Sequence, residues 1–260
     1  MTLPLLALLV ILGCTTLLWL LSLALKDAGI IDIFWAPGFF IVAAVSALEA
    51  PPLAPRTIMI LVLTALWAER LGAHLLHRWR NFEHEDRRYT AMRRSGGFWW
   101  KSLFKVCWLQ AGILWVVSWP LQAAIARGDV PLGPLDVLGG LVALAGILIE
   151  AIADRQLAHF ANDPANAGKV LDTGIWAWSR HPNYFGNATM WWGFYLIALS
   201  AGAWWTIFAP IVMTYFLLRI SGVALLERHI AKRRPDYDDY IRRTSSFIPL
   251  PPRTRSTPLR

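Results

Sequence analysis

Residues 1–25 contain no Asp, Glu, Lys or Arg. A stretch of that length can cross the hydrocarbon core of a bilayer, which takes about 20 apolar residues. It lacks the basic start and small-residue cleavage site of a secretory signal, and another apolar block follows directly. It is therefore expected to remain as a first membrane helix. Six further apolar segments lie at about 28–49, 57–76, 102–126, 134–153, 183–200 and 203–225. An unpaired backbone cannot cross lipid, so each is expected to be helical. The fold class that follows is all-α, an integral membrane bundle of about seven transmembrane helices. Length alone allows one or two domains. The even run of spans argues for a single domain over residues 1–249, with 250–260 a flexible cytoplasmic tail.

The charges test this count. All but four of the 25 Lys and Arg residues fall in, or at the edge of, segments that follow an odd-numbered span. Arg56 and Arg127 lie on the opposite face, and Arg70 and Arg219 fall inside spans. The positive-inside rule then sets the N-terminus outside and the C-terminus in the cytoplasm, as in a multi-pass protein of a bacterial inner membrane. The net charge of +8 is accounted for by this orientation and by attraction to anionic headgroups. Membrane lipids are the expected surroundings. Nucleic acid is not an expected partner, because no basic motif has a matching fold context. Cys14 and Cys107 both sit in apolar spans, so neither a disulfide framework nor a metal site follows from them.

Ionisable groups inside spans are costly and mark cavities or partners. Asp32 lies about a turn into the second span. Glu69, Arg70 and His74 follow one another along the third. Glu150 and Asp154 are four apart at the cytoplasmic end of the fifth, on one helical face. Arg219 and Glu69 are expected to be paired between helices or to snorkel. Asp32, Glu150 and Asp154 are expected to serve a site. The run from Arg78 to Arg94 reads equally as an amphipathic helix on anionic lipid or as part of that site.

The stretch "WSRHPNYFGN", Trp178 to Asn187, concentrates polar groups at the start of the sixth span. Pro182 suits the first turn of a helix, which leaves Arg180 and His181 just outside it. Asn183 and Asn187 then share a face, with Tyr184 beside them. Free N–H groups, the helix dipole and flanking cations together suit an anion. The cations and neutral donors, with a few carboxylates able to hold ribose hydroxyls, suit a phosphorylated nucleotide. No G-x-G-x-x-G and no P-loop motif is present, so side chains and a helix start would have to hold it. Arg180, His181, Tyr184 and Lys169 are candidates on this argument.

"DTGIWAWSRHPNYFGN", "RLGAHLLHRWRNFEHEDRRY", "IEAIADRQ" and "DIFWAPGFF" together resemble a bacterial membrane family related to the steroid 5-alpha-reductases. The likeness runs from about Asp32 to Pro249. The Arg-His-Pro run is also similar to isoprenylcysteine carboxyl methyltransferases. The resemblance implies a seven-helix enzyme that takes NADPH from the cytoplasmic side and delivers hydride to the conjugated double bond of a lipid-soluble enone. It implies that Asp154, Asn183, His229 and Arg88 hold the cofactor, and Arg233 shares a helical face with His229. Where such reductases carry the Glu and Tyr that hold the substrate carbonyl, this chain has Trp near position 35 and at 67. Asp32 and Tyr89 are the nearest groups able to polarise that oxygen, with Glu69 a third option. Trp35, Phe39 and Trp67 are the expected walls of the substrate pocket. The alternatives are an S-adenosylmethionine-dependent methyltransferase of a lipid or isoprenoid group, and an inactive lipid- or nucleotide-binding membrane protein.

Overall fold

The computed structural model describes residues 3–50, 54–81, 87–94, 96–220 and 237–253. Among them every regular element is helical, and the one extended pairing is an isolated parallel bridge between Ser179 and Ser245. The chain divides into two compact units, one of Met1–Gly140 with Phe194–Ala209, the other of Leu141–Gly193 with Pro210–Arg260.

The first unit opens with α1, Leu3–Leu25. A helix of this apolarity has no internal reason to stop, and its end is made by the backbone. Lys26 takes a left-handed conformation with φ 55°. The N–H of Asp27 then reaches back to Ser22 O at 3.1 Å and that of Lys26 to Leu23 O at 3.3 Å. These are the two bonds of a Schellman ending, with Lys in the place usually given to Gly. Asp27 secures the exit, its carboxylate accepting from Gly29 N–H at 2.8 Å and from the Trp79 indole at 2.8 Å.

A single helical turn, Ile30–Ile33, precedes α2, Trp35–Glu49, which packs chiefly on α3, Pro55–Asn81. Next come the short α4, Arg87–Arg94, and α5, Phe98–Val117, whose stretch Leu103–Trp108 is wound as a π-helix. At Ser118 the path bends by 45° into α6, Trp119–Ala126. Pro120 explains the bend, since it has no N–H to give and its ring crowds the preceding turn.

Arg56, at the start of α3, is 1% exposed. It binds both oxygens of Asp136, at 2.7 and 2.9 Å, and donates to the carbonyls of Arg127, Val130 and Pro131. Asp136 also accepts from Gly133 N–H at the start of α7, Pro134–Asn162, and from Ser200 at the end of α8, Pro182–Ser200. A buried charge is tolerable only when paired and hydrogen-bonded in this way.

Among the described residues three helices, α1, α3 and α7, are long and apolar enough to cross a bilayer, and the bent pair α5–α6 makes a fourth if counted as one span. The sequence leads one to expect about seven. The difference has local causes. The second segment is broken at Phe34, and its 15-residue remainder rises only about 22 Å. The seventh segment is described only as far as residue 220, and the sixth, α8, dilutes its apolar residues with Asn, Gly and Thr. After them α9, Phe208–Tyr215, continues as a π-turn to Ile220, and α10, Tyr237–Arg243, closes the described chain before the segment ending at Arg253.

Candidate functional site

The second unit holds a ladder of four polar side chains. Glu150 and Asp154 stand one turn apart on α7, and Asn187 and Asn183 one turn apart on α8. Asn187 donates to Glu150 Oε1 at 3.2 Å, and Asn183 donates to Asp154 Oδ1 at 3.1 Å. The spacing of four on each helix produces two rungs at once.

Two glycines let the helices come close enough. A Cβ on Gly146 would lie 2.4 Å from Met190 N and 2.5 Å from Gly186 O. One on Gly186 would lie 2.6 Å from Glu150 N. The helices therefore meet backbone to backbone, with a stripe that admits no side chain. Glu150 and Asn187 are 5% exposed, and Asn187 Oδ1 is buried with no hydrogen-bond partner among the described residues. A buried acceptor left open is uncommon in a folded chain and needs an explanation.

The entry to α8 follows the expected pattern. The helix begins at Pro182, and His181 O accepts the first helical bond, from Phe185 N–H. The His181 ring, 4% exposed, lies parallel to Tyr184 at 5.6 Å. Arg180 acts as a fastener. Its guanidinium donates to Ile241 O at 3.0 Å and Thr244 O at 2.6 Å, the carbonyls at the end of α10. Ser179 holds Phe247 O and Arg180 N–H holds Ser245 O, so residues 178–180 are sewn to the C-terminal segment. Tyr240 joins them, donating to Trp176 O at 2.6 Å. Burial, aided by Tyr237, pushes its phenol well above the ordinary value. Arg243 is held in its charged form by Asp239 first and by Asp172. Lys169 is exposed on the loop after α7. Gln156 accepts from Ile175 N–H and fixes that loop to α7. His229 and Arg233 lie outside the described residues.

A separate polar group lies within the first unit. The Tyr89 hydroxyl, on α4, donates to Asp32 Oδ1 at 3.0 Å, and the Gln110 amide, on α5, reaches the same oxygen at 3.4 Å. Tyr89 is 4% exposed and packs with Ala28, Ile31, Phe98, Val106 and Cys107. The two residues put forward as the acid thus meet. Gln110 is a member that the sequence reading missed, although an amide alone in "VCWLQAGILW" is a visible signal. Arg88 falls in the first turn of α4. Trp35, Phe39 and Trp67 come together as one aromatic stack, Trp35 edge-on to Phe39 at 5.3 Å and Phe39 tilted on Trp67 at 5.6 Å. Phe39 and Trp67 are fully buried, and Trp35 alone presents surface.

The model of a family described as proteins of unknown function, DUF1295, matches residues 18–244. The chain belongs to the DUF1295 family. That family includes steroid 5-alpha-reductase-like proteins. The chain is also similar to an uncharacterized protein of Schizosaccharomyces pombe, 26% identical over 261 residues, which cover 89% of this chain and 75% of the relative. No solved structure matches it. The DUF1295 match takes in the four side chains of the ladder and the Asp32–Tyr89–Gln110 group alike.

Proposed function

We propose that this DUF1295 protein is an NADPH-dependent membrane reductase that saturates the conjugated double bond of a lipid-soluble enone. The observation that carries the reading is the open acceptor of Asn187 beside the Glu150 and Asp154 carboxylates. A carboxamide N–H of a nicotinamide suits Asn187 Oδ1, and ribose hydroxyls suit carboxylates, so the residues present fit the group. Asp154, Asn183 and Asn187 would hold it, with Lys169, His181 and Tyr184 as further members. Bound NADPH would supply the hydride. The protein's part is position, electrostatics and exclusion of water.

Reduction of an enone leaves charge on its carbonyl oxygen, and an acid must meet it. Asp32 and Tyr89 supply that acid in this reading. With Asp32 ionised the phenol donates to Oδ1; with Asp32 protonated the bond reverses and turns the phenol proton toward a substrate oxygen. Gln110 holds the carboxyl in place for either state.

The reading includes seven membrane crossings with the C-terminus in the cytoplasm of a bacterium. Several pairings within the first unit support it, because each joins residues that seven crossings set on one side. Trp115 binds Pro4 O, Trp19 binds Trp99 O, and Arg56 binds Asp136.

Titration of detergent-purified protein with NADPH and with S-adenosylmethionine tests the assignment. NADPH binding that weakens at least tenfold in Asn183→Ala and in Asp154→Ala is expected. Binding of S-adenosylmethionine in its place would make the protein a methyltransferase and end the reductase reading.

A further inference from the structure

The face of α5 turned away from Tyr89 carries an exposed aromatic row. Trp99, Trp100, Phe104 and Trp108 are 62%, 42%, 50% and 39% exposed, followed by Leu109 at 55%. Trp100, Phe104 and Trp108 are spaced by four, and the last two meet edge-on at 4.9 Å. The π-helical winding of Leu103–Trp108 keeps residues four apart closer to one line than an α-helix does, because its bonds close five residues apart. Cations rise through this row. Lys105 is exposed between Phe104 and Trp108, the Lys101 ammonium lies 5.8 Å over the Trp100 ring, and Arg94 is exposed at the end of α4. Not one acidic residue occurs between Asp86 and Asp129.

The row is braced from behind, which separates it from a scatter of surface side chains. The Trp19 indole donates to Trp99 O at 2.8 Å and to Ser102 at 3.2 Å, and the Trp108 indole donates to Thr16 at 3.1 Å. Arg93 sits 3.8 Å over the Phe98 ring and binds Lys26 O, tying α4 to the end of α1.

Aromatic rings with a polar edge settle at the level of lipid headgroups, and cations beside them meet phosphate there. A protein partner would bring acidic side chains to the cations but would leave the aromatic row, on a helix that together with α6 is apolar enough to cross a membrane, facing acyl chains. We infer that Arg94, Lys101 and Lys105 with Trp100, Phe104 and Trp108 form a binding surface for an anionic phospholipid. The headgroup phosphate lies against the three cations and the chains run along the aromatic row. The opposite side of the same helix packs Phe98, Val106 and Cys107 on Tyr89, so the bound lipid braces the Asp32–Tyr89 group from outside. The surface requires only that the protein lies in a membrane, and it stands whether or not the protein is a reductase.

The test uses full-length protein in nanodiscs of equal phosphatidylglycerol and phosphatidylcholine, released into mild detergent, with the retained lipids counted by native mass spectrometry. Phosphatidylglycerol retained several-fold over phosphatidylcholine is expected. A single cation near an anionic surface is worth roughly fivefold, so Arg94→Gln/Lys101→Gln/Lys105→Gln should bring retention close to that of phosphatidylcholine. A control that removes the same charge from exposed sites elsewhere, Arg127→Gln/Arg242→Gln/Arg253→Gln, should keep the preference. Lys101→Glu/Lys105→Glu, checked for folding by its elution volume, should disfavour phosphatidylglycerol. Equal retention of the two lipids by the unaltered protein would overturn the inference, as would equal loss in the control.

Discussion

Asn187 gives its amide to Glu150 across the contact of α7 and α8, while its own carbonyl oxygen is buried without a partner among the described residues. Replacing it with Leu removes an uncompensated polar atom together with one hydrogen bond. Two opposite effects are expected. Thermal unfolding of the ligand-free protein should stay within about 1 kcal/mol of the parent, since loss of the bond and relief of the orphan oxygen offset one another. NADPH binding should weaken by about 1–2 kcal/mol, the worth of a buried hydrogen bond. Loss of stability with unchanged binding would assign Asn187 a purely structural role.

The close approach at Gly146 makes a sharper demand. A methyl group there would sit 2.4 Å from Met190 N, and backbone cannot swing aside as a side chain can. Gly146→Ala is expected to cost about 1–3 kcal/mol, the usual range for overpacking. It should also shift the rungs below, so that the loss of NADPH affinity exceeds what stability alone explains. Unfolding and titration of the same sample check both parts. Gly112→Ala, which adds a Cβ with nothing within 4 Å, is the control.

Arg56 is an almost fully enclosed charge in the first unit. Arg56→Met leaves Asp136 buried with Ser200 and Gly133 N–H but without its cation. Breaking such a pair costs about 3–5 kcal/mol. The double variant Arg56→Met/Asp136→Leu should recover much of that, because two apolar groups leave no charge uncompensated. A double variant no more stable than the single one would show that the carbonyl contacts of Arg56 carry the effect.

Tyr240 sets a pH dependence on the C-terminal segment. Its folded pKa is raised above the ordinary value of 10.0 by burial first and by Tyr237 second. The unfolded chain therefore releases this proton at a lower pH than the folded one. The contribution is fully present below about pH 10, and it is lost as pH rises toward the folded value. Tyr240→Phe should lower stability at neutral pH by about 1 kcal/mol through the lost bond to Trp176 O. It should also flatten the alkaline decline, read as unfolding midpoints between pH 9 and about pH 11.

Much of this was legible in the residues. A chain without charge over residues 1–25, and apolar segments separated by basic loops, dictates helices, because lipid leaves the backbone no other way to satisfy itself. The start of α8 was legible too, since Pro182 and the polar run before it obey local rules. The spacing of Glu150 with Asp154, and of Asn183 with Asn187, declared which side chains share a face.

Tertiary structure decided which faces meet. The sequence does not say that Asn187 opposes Glu150; that register comes from Gly146 and Gly186, which exclude side chains where two helices press together. Nor does it say that Arg180 would be taken up by the carbonyls of Ile241 and Thr244. Its side chain follows the return of a segment some sixty residues later. Arg56 finds Asp136, and Gln110 finds Asp32, for the same reason. Local propensity acts within a few residues, whereas these pairs are far apart in the chain and meet only when whole helices have packed.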